Sequence, residues 1–576
     1  MAPQNATRAR NWAYGSRKSV MLKSKKKSKK KKKTQEVTTV DTPSLSKKEL
    51  AAKKKKADRA RKQAISAIAT YGGLGLLVGI GLFFAADPKI AVAGGGGIAV
   101  LALCFKYPRQ GLWAFMIYMP FAGTITYWIG GGNSIFQLAK DGFFIPAAIA
   151  LVLICNKKKL PLLIPKDWMP SLSILLAVAL LTLLFVNGSL QMNPPGNDKP
   201  FLQGILGLKV FLGYIPLIPC AYYLIRNKQD LLFCGRLHAV LAIICCTLGV
   251  VQYQMLSIGI CPGTRGFVGD DLFKATLEAK CLVGGSLVFS PEVGMIRLPG
   301  TFVAPWQWAW FLIANSVFSF APAFNETSKF WRLIGLLSMA LVFINAVISG
   351  QRIALALVPT LTVILLVLTG QIANLQRFVP IAAGLGLVLF IAVAANPAIV
   401  EERIDSFVSR WEASPPQAFI VNQFHESNKE LRGKLMGRGL GRATNSTRLF
   451  GRTRLIETYY PKLLYELGYP GMLAFLATAL HLTFITFKAY RSVKDKSLRG
   501  YGASFWVFIL FISVNTYYYP LDVDPVSVYY WFLAGVILKL PDIERQEEEK
   551  KLAETLTPEE VKKRRRKIKH LFVEAI

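Results

Sequence analysis

FWRLIGLLSMALVFINAVISGQRIALALVPTLTVILLVLT, residues 330–369, decides the class of fold. Two apolar runs, 330–349 and 353–369, are parted only by Ser349-Gly350-Gln351-Arg352. A helix rises about 1.5 Å per residue and the hydrocarbon core is about 30 Å thick, so about 20 apolar residues cross it. Similar runs recur up and down the chain. They predict helices over 64–84, 90–105, 111–129, 139–155, 169–186, 201–225, 234–256, 302–323, 330–349, 353–369, 378–396, 463–487, 502–519 and 526–540. The expected fold is an all-α polytopic membrane protein with about 12–14 transmembrane helices. One large outer loop, 397–462, separates the eleventh helix from the twelfth, and a second long loop covers 257–301.

Composition agrees. Of 576 residues, 52% are hydrophobic and 18% charged, and the mean hydropathy is +0.36, whereas a soluble chain carries about a quarter charged residues. This excludes a soluble multidomain enzyme and a single-anchor receptor. The membrane domain is read as 63–540, between a basic tail, 1–62, and a charged C-tail, 541–576. The N-terminal tail holds 22 Lys/Arg against 4 Asp/Glu, half of the chain's net +36. Its runs Lys23 to Lys33 and Lys53 to Lys56 repel themselves and predict disorder. Their partner is either the anionic headgroups of the cytoplasmic leaflet or none beyond a topology signal, in preference to nucleic acid.

Orientation follows from the short loops. With the N-terminus inside, the inner loops carry Lys106, Arg109, Lys157 to Lys159, Lys166, Arg226, Lys228, Lys329, Arg332, Arg377 and Lys488 to Arg499. The short outer loops 130–138, 187–200 and 520–525 carry only Lys199. Both termini are therefore expected in the cytoplasm, with the protein in the plasma (inner) membrane. The C-tail contains an acidic run, Glu547 to Glu549, a basic one, Lys562 to Lys567, and a helix start at Thr557-Pro558-Glu559-Glu560. Of eight cysteines, Cys261 and Cys281 alone share a long polar loop, and a disulfide between them is consistent with an outer location. No inverted repeat is evident.

No P-loop, GxGxxG, HExxH or GxSxG is present, and no metal-ligand cluster. Chemistry therefore falls to ionisable groups at the membrane boundary. Arg352 opens a helix on the expected outer side, against the positive-inside bias. It either faces a partner or cavity, aimed by the Gly350 turn, or snorkels to headgroups. From Arg432 to Pro461 the outer loop concentrates Arg432, Lys434, Arg438, Arg442, Arg448, Arg452 and Arg454 against one acid, Glu457. Gly437-Arg438-Gly439-Leu440-Gly441-Arg442 places backbone amides and guanidinium groups together, which suits a phosphate or pyrophosphate; a solvated loop is the alternative. Arg297-Leu298-Pro299-Gly300-Thr301-Phe302 leads to Pro305, Trp306, Trp308 and Trp310, read as interfacial anchors or a sugar-stacking surface. Lys140 and Asp141 are read as an internal ion pair, and Lys209 as snorkelling.

Together these elements resemble the O-antigen ligase/polymerase superfamily of bacterial polysaccharide assembly over roughly residues 110–540. The matching elements are Ser349 to Arg352, then Arg297, Gly300, Phe302 and Pro305, and the glycine-bearing loop ending in Glu457 to Gly471. Within the last, Tyr460, Leu463, Leu464, Glu466, Gly468 and Gly471 match a family stretch of histidine, asparagine, x, tyrosine, leucines, glutamate, x, glycine. Within the family the chain is most similar to the hormogonium-type exopolysaccharide membrane proteins of cyanobacteria. Glu457 stands where ligases carry their histidine, which weakens a ligase and favours a polymerase or an inactive member; His425 is a substitute base.

The resemblance implies a glycosyltransferase on the outer face that transfers or polymerises glycan from a polyprenyl diphosphate, inverting, with neither cofactor nor metal. Arg352 and Glu457 would be catalytic. Arg297, Arg438, Arg442, Arg454 and Tyr460 would bind diphosphate or glycan, with Gly350, Glu466, Gly468 and Gly471 as structural motif. Other polysaccharide-export proteins would be partners. The competing expectation is a transporter of an anion such as bicarbonate.

Overall fold

The structure is a computed structural model and describes residues 47–85, 88–132, 135–160, 165–269, 279–285, 287–290, 295–371, 415–518 and 520–555, with single positions between 401 and 412. The expected helix 378–396, the basic runs 23–33 and 562–567 and the 557–560 helix start lie outside the described residues. The chain divides into two units, 1–65 and 66–576. The described part of the first is the basic start of a helix, and the second holds everything that follows.

The principal helices are α1 (Lys47–Ala85), α2 (Pro88–Lys106), α3 (Pro108–Tyr118), α4 (Ile135–Lys157), α5 (Met169–Leu181), α6 (Pro200–Leu212), α7 (Leu217–Leu224) and α8 (Lys228–Ser257). A two-stranded antiparallel sheet follows, β1 (Val288–Ser290) with β2 (Met295–Arg297), in the register Phe289 opposite Ile296. Then come α9 (Pro305–Asn325), α10 (Lys329–Ile348), α11 (Arg352–Leu368), α12 (Pro416–Leu431), α13 (Tyr459–Ser492), α14 (Lys496–Val514) and α15 (Val526–Thr555). Among the described residues ten helical stretches are long and apolar enough to cross a membrane. The chain is an all-α, multi-pass membrane protein.

Each expected span other than 378–396 coincides with a described helix, but several differ in form. The segment 201–225 is two helices: the chain turns at Gly213, and Pro216 has no amide to offer the carbonyl four residues back. α14 stops at Val514 rather than 519, because Asn515 is extended and Tyr517 pairs with Thr458 in a β-bridge. α15 runs through Pro541 to Thr555, past the expected end at 540. α9 carries Gln307, Asn315, Ser316 and Ser319 and is walled in by α8, α10, α11 and α14. Trp308 and Trp310 on it are fully buried and belong to the core; only Trp306, 43% exposed, fits an interfacial anchor.

The polar segments sort to two ends of the bundle. At one, Arg109 meets Asp230 at 2.8 Å, Lys228 meets Asp495 at 3.2 Å and Arg236 meets the buried Glu326 at 2.7 Å. At the other, Thr124 Oγ1 donates to Val283 O at 2.7 Å, Lys199 N to Phe450 O at 2.6 Å and Tyr459 N to Thr516 O at 2.6 Å. The loops expected inside at 109, 228–230, 326 and 495 are thus joined to one another, as are those expected outside at 199, 283, 450 and 516. Cys261 and Cys281 are joined in a disulfide. The remaining six cysteines are buried and single. Lys140 pairs with Asp524 and Lys209 with Asp141, at 2.7 Å for the second pair. The expected Lys140–Asp141 pair and snorkelling Lys209 are therefore replaced by two long-range pairs, from α4 to the turn before α15 and from α6 to α4: neighbours in sequence point to different partners on a helix.

Asp495 caps α14, accepting from Ser497 N at 2.9 Å and Leu498 N at 3.0 Å. Burial works to raise its carboxyl, but those amides and Lys228 outweigh it and hold the group below the usual carboxylate range. A depressed folded-state pKa gives stability that is present above the unfolded value and lost as pH falls through the folded one. Thermal melting in detergent should therefore show the wild type losing its advantage over Asp495→Asn below about pH 4. A difference independent of pH from 3 to 7 would remove the charge contribution.

Candidate functional site

The site begins with a turn. Gly350 has φ +67°, a conformation that L side chains rarely adopt, and a Cβ there would lie 1.7 Å from Ile296 O. Leu298 N donates to Ser349 O at 3.0 Å. The end of β2 therefore lies directly on the Ser349–Arg352 turn, and the segments bearing Arg297 and Arg352 meet although 55 residues separate them. Both arginines are half-buried. Gln351 and Ser349 below them are buried.

Glu457 reaches the same place from another direction. Its amide donates to Gln423 Oε1 on α12 at 3.2 Å, and the next residue, Thr458, bridges to Tyr517. The Tyr517 phenol lies in the field of both Arg352 and Glu457. Burial, then the Tyr518 phenol, push its pKa up; Arg352 pulls it down and Glu457 adds to the rise. Tyr517 thus keeps its proton at neutral pH and remains a hydrogen-bond donor. Phe419 of α12 and Tyr518 meet it edge-on, at 5.9 and 4.8 Å between ring centroids. The cluster combines two guanidinium-bearing segments, a carboxylate, a phenol and an aromatic ledge.

Much of the glycine loop is held by the protein itself. α13 is broken at Gly468 (φ +70°, ψ −173°), and the carbonyls released there are taken up by the loop. Arg438 N donates to Tyr465 O at 2.7 Å and Gly439 N to Glu466 O at 3.0 Å. Ala443 N and Thr444 Oγ1 donate to Glu466 Oε1 at 2.6 and 3.0 Å, and Leu440 N to Asn187 Oδ1 at 2.9 Å. Amides so engaged cannot also hold a ligand. A Cβ on Gly468 would lie 1.8 Å from Leu435 O, and Gly471 packs on Leu467. Glu466 and Gly468 therefore make a joint between helix and loop, and Gly471 packs within α13.

The other expected ligand-binding residues divide. Arg454 reaches Glu430 at 2.9 Å and Glu426 at 3.6 Å on α12, and Arg438 Nε donates to Glu430 O at 2.7 Å. Tyr460 is buried, its hydroxyl donating to Ser513 O. The two arginines tie the loop to α12, and Tyr460 ties α13 to α14. Arg442 is half-buried with Nε lacking a hydrogen-bond partner. His425 is exposed on α12. Among the described residues no group of His, Cys, Asp or Glu is placed to hold a metal ion. The sequence reading missed Tyr517 and Gln423; the tyrosine run at 517–519, following an apolar helix, was the available signal.

No protein-family model matches the chain, and no curated protein matches it in sequence.

Proposed function

We propose that the chain is a membrane glycosyltransferase of polysaccharide assembly, acting on a polyprenyl diphosphate-linked glycan at the outer face of the plasma membrane. The observation that carries this reading is the meeting of the Arg297 and Arg352 segments beside Glu457 and Tyr517. An acceptor hydroxyl oxygen attacks the anomeric carbon. The bond from that carbon to the diphosphate oxygen breaks, its electron pair leaves with the diphosphate, and Glu457 takes the hydroxyl proton. Charge grows on the leaving diphosphate, where preorganised guanidinium groups stabilise it most. The Phe419–Tyr517–Tyr518 ledge offers aromatic faces to a sugar ring. The expected 12–14 spans, cytoplasmic termini and a tail on anionic headgroups belong to this reading, as do other polysaccharide-export proteins as partners. The Cys261–Cys281 disulfide supports an outer location for its loop, since such bonds persist in oxidising compartments.

Tags inserted at 190 and 420 should be reached by impermeant reagents in intact cells, and tags at 160 and 495 only after lysis. Protection at 420 would put the arginine cluster on the wrong face for an exported lipid-linked glycan. The transporter reading draws on the long-range pairs Lys140–Asp524 and Lys209–Asp141, because ionisable groups inside a membrane bundle commonly mark a solute path. Loss of solute uptake with an unchanged glycan profile in cells lacking the protein would favour it. Accumulated lipid-linked glycan favours the transferase.

A further inference from the structure

Beneath the arginine cluster lies a second group of charges that the transfer reaction does not use. Lys462 and Glu466 are each 2% exposed by side chain and one helical turn apart on α13; the Asp522 side chain is 7% exposed. Lys462 Nζ contacts Asp522 Oδ2 but stands 4.0 Å from Glu466 Oε2, beyond a hydrogen bond. Glu466 Oε1 is occupied by Ala443 N and Thr444 Oγ1. Two carboxylates thus face one ammonium, a net charge of about −1 in a setting where an uncompensated charge costs several kcal/mol. Independently, Asp522 Oδ1 and the hydroxyl of Tyr459, a residue 1% exposed, are buried without a hydrogen-bond partner. Asp522 is the foremost charge acting on that phenol. The remaining titratable groups facing the cluster are Tyr460 on α13 and Tyr530 on α15; Arg438, Arg442 and Glu430 act on the adjoining Tyr465 from the loop side.

We propose that this cluster is a proton-binding site, with the bound proton on Glu466 Oε2. Asp522 Oδ2 already has the Lys462 ammonium as its direct partner. Glu466 Oε2 has no cation within bonding distance, so a proton taken from water forms an O–H bond there and brings the trio to neutrality. The inference is independent of the transferase reading, because it uses none of Arg297, Arg352 or Glu457.

Infrared difference spectroscopy on the full chain in detergent, in H2O and D2O, reads protonated carboxyl groups directly. The expected wild-type spectrum at pH 7 contains a carboxylic-acid C=O band that shifts in D2O. Glu466→Gln should abolish that band. Asp522→Asn should abolish it too, because Lys462 then has Glu466 as its only carboxylate and the glutamate ionises. No such band in the wild type would overturn the proposal even if neither variant folds. A band unchanged in Glu466→Gln would place the proton elsewhere, and one retained in Asp522→Asn would overturn the charge balance on which the site rests.

Discussion

Arg352→Lys is expected to lower polysaccharide export about a hundredfold to a thousandfold at normal membrane levels of the protein, the range for losing one preorganised donor to a developing anion. The substitution keeps the charge and removes the planar fork, which a diphosphate oxygen pair engages through parallel hydrogen bonds. An arginine that merely snorkels would tolerate lysine, since either head reaches the interface. Glu457→Gln keeps shape and removes the basic oxygen; loss of a general base costs about a hundredfold to ten-thousandfold. Glu457→His should retain part of the activity. Because Ile296 O lies against Gly350, the Arg297 segment shares the site, and Arg297→Lys combined with Arg352→Lys should fall short of the product of the single effects. Normal export from both Arg352→Lys and Glu457→Gln would leave these residues structural.

The largest loss of stability should come from Gly350→Ala and Gly468→Ala. Each new Cβ would fall 1.7 or 1.8 Å from a backbone oxygen, which cannot swing aside as a side chain can. Each residue also sits at a left-handed φ, +67° and +70°. The conformational penalty is about 1–2 kcal/mol and forced overpacking adds about 1–3 kcal/mol. Together these take a large share of the stability of an ordinary domain, so neither variant should accumulate as folded protein. Gly433→Ala, with a similar φ of +76° but open space around it, should lose only the conformational part. Gly72→Ala, on an open helical face, should be neutral or slightly stabilising. Equal accumulation of all four in membrane fractions would contradict the contacts.

What could be read in advance depended on whether a property is local. Apolar length is local, so the runs at 228–257 and 329–348 announce themselves as helices. Charge bias between short loops is nearly so, and the two ends of the bundle sort accordingly. Ser349 to Arg352 is legible because a glycine and an arginine between two apolar runs are each out of place. Partner choice is not local. Lys140 beside Asp141 looks like a pair, yet the mates are Asp524 and Lys209. The glycine run at 437–441 looks like a nest for an anion, yet its amides at 438 and 439 turn to carbonyls at the break in α13 and the one at 440 to Asn187. Tyr517 carries no motif; its place between Arg352 and Glu457 arises from a single bridge to Thr458.

The break in α13 bears on how the protein is made. A helix released sideways from the translocation channel must have its peptide groups satisfied, because each bare one costs several kcal/mol in hydrocarbon. The carbonyls of Tyr465 and Glu466, about 10 Å into α13, accept from the amides of residues 438 and 439. Those residues leave the ribosome first, and Asn187, much earlier in the chain, holds the same loop through Leu440. α13 is therefore a late guest of a half-built bundle: the segment containing α5 and α6 has to be waiting, with the loop folded back against it, before the helix can leave the channel. A chain divided within 445–458 and expressed as two pieces would present α13 without the donors at 438, 439, 443 and 444, and it would be retained at the channel or degraded.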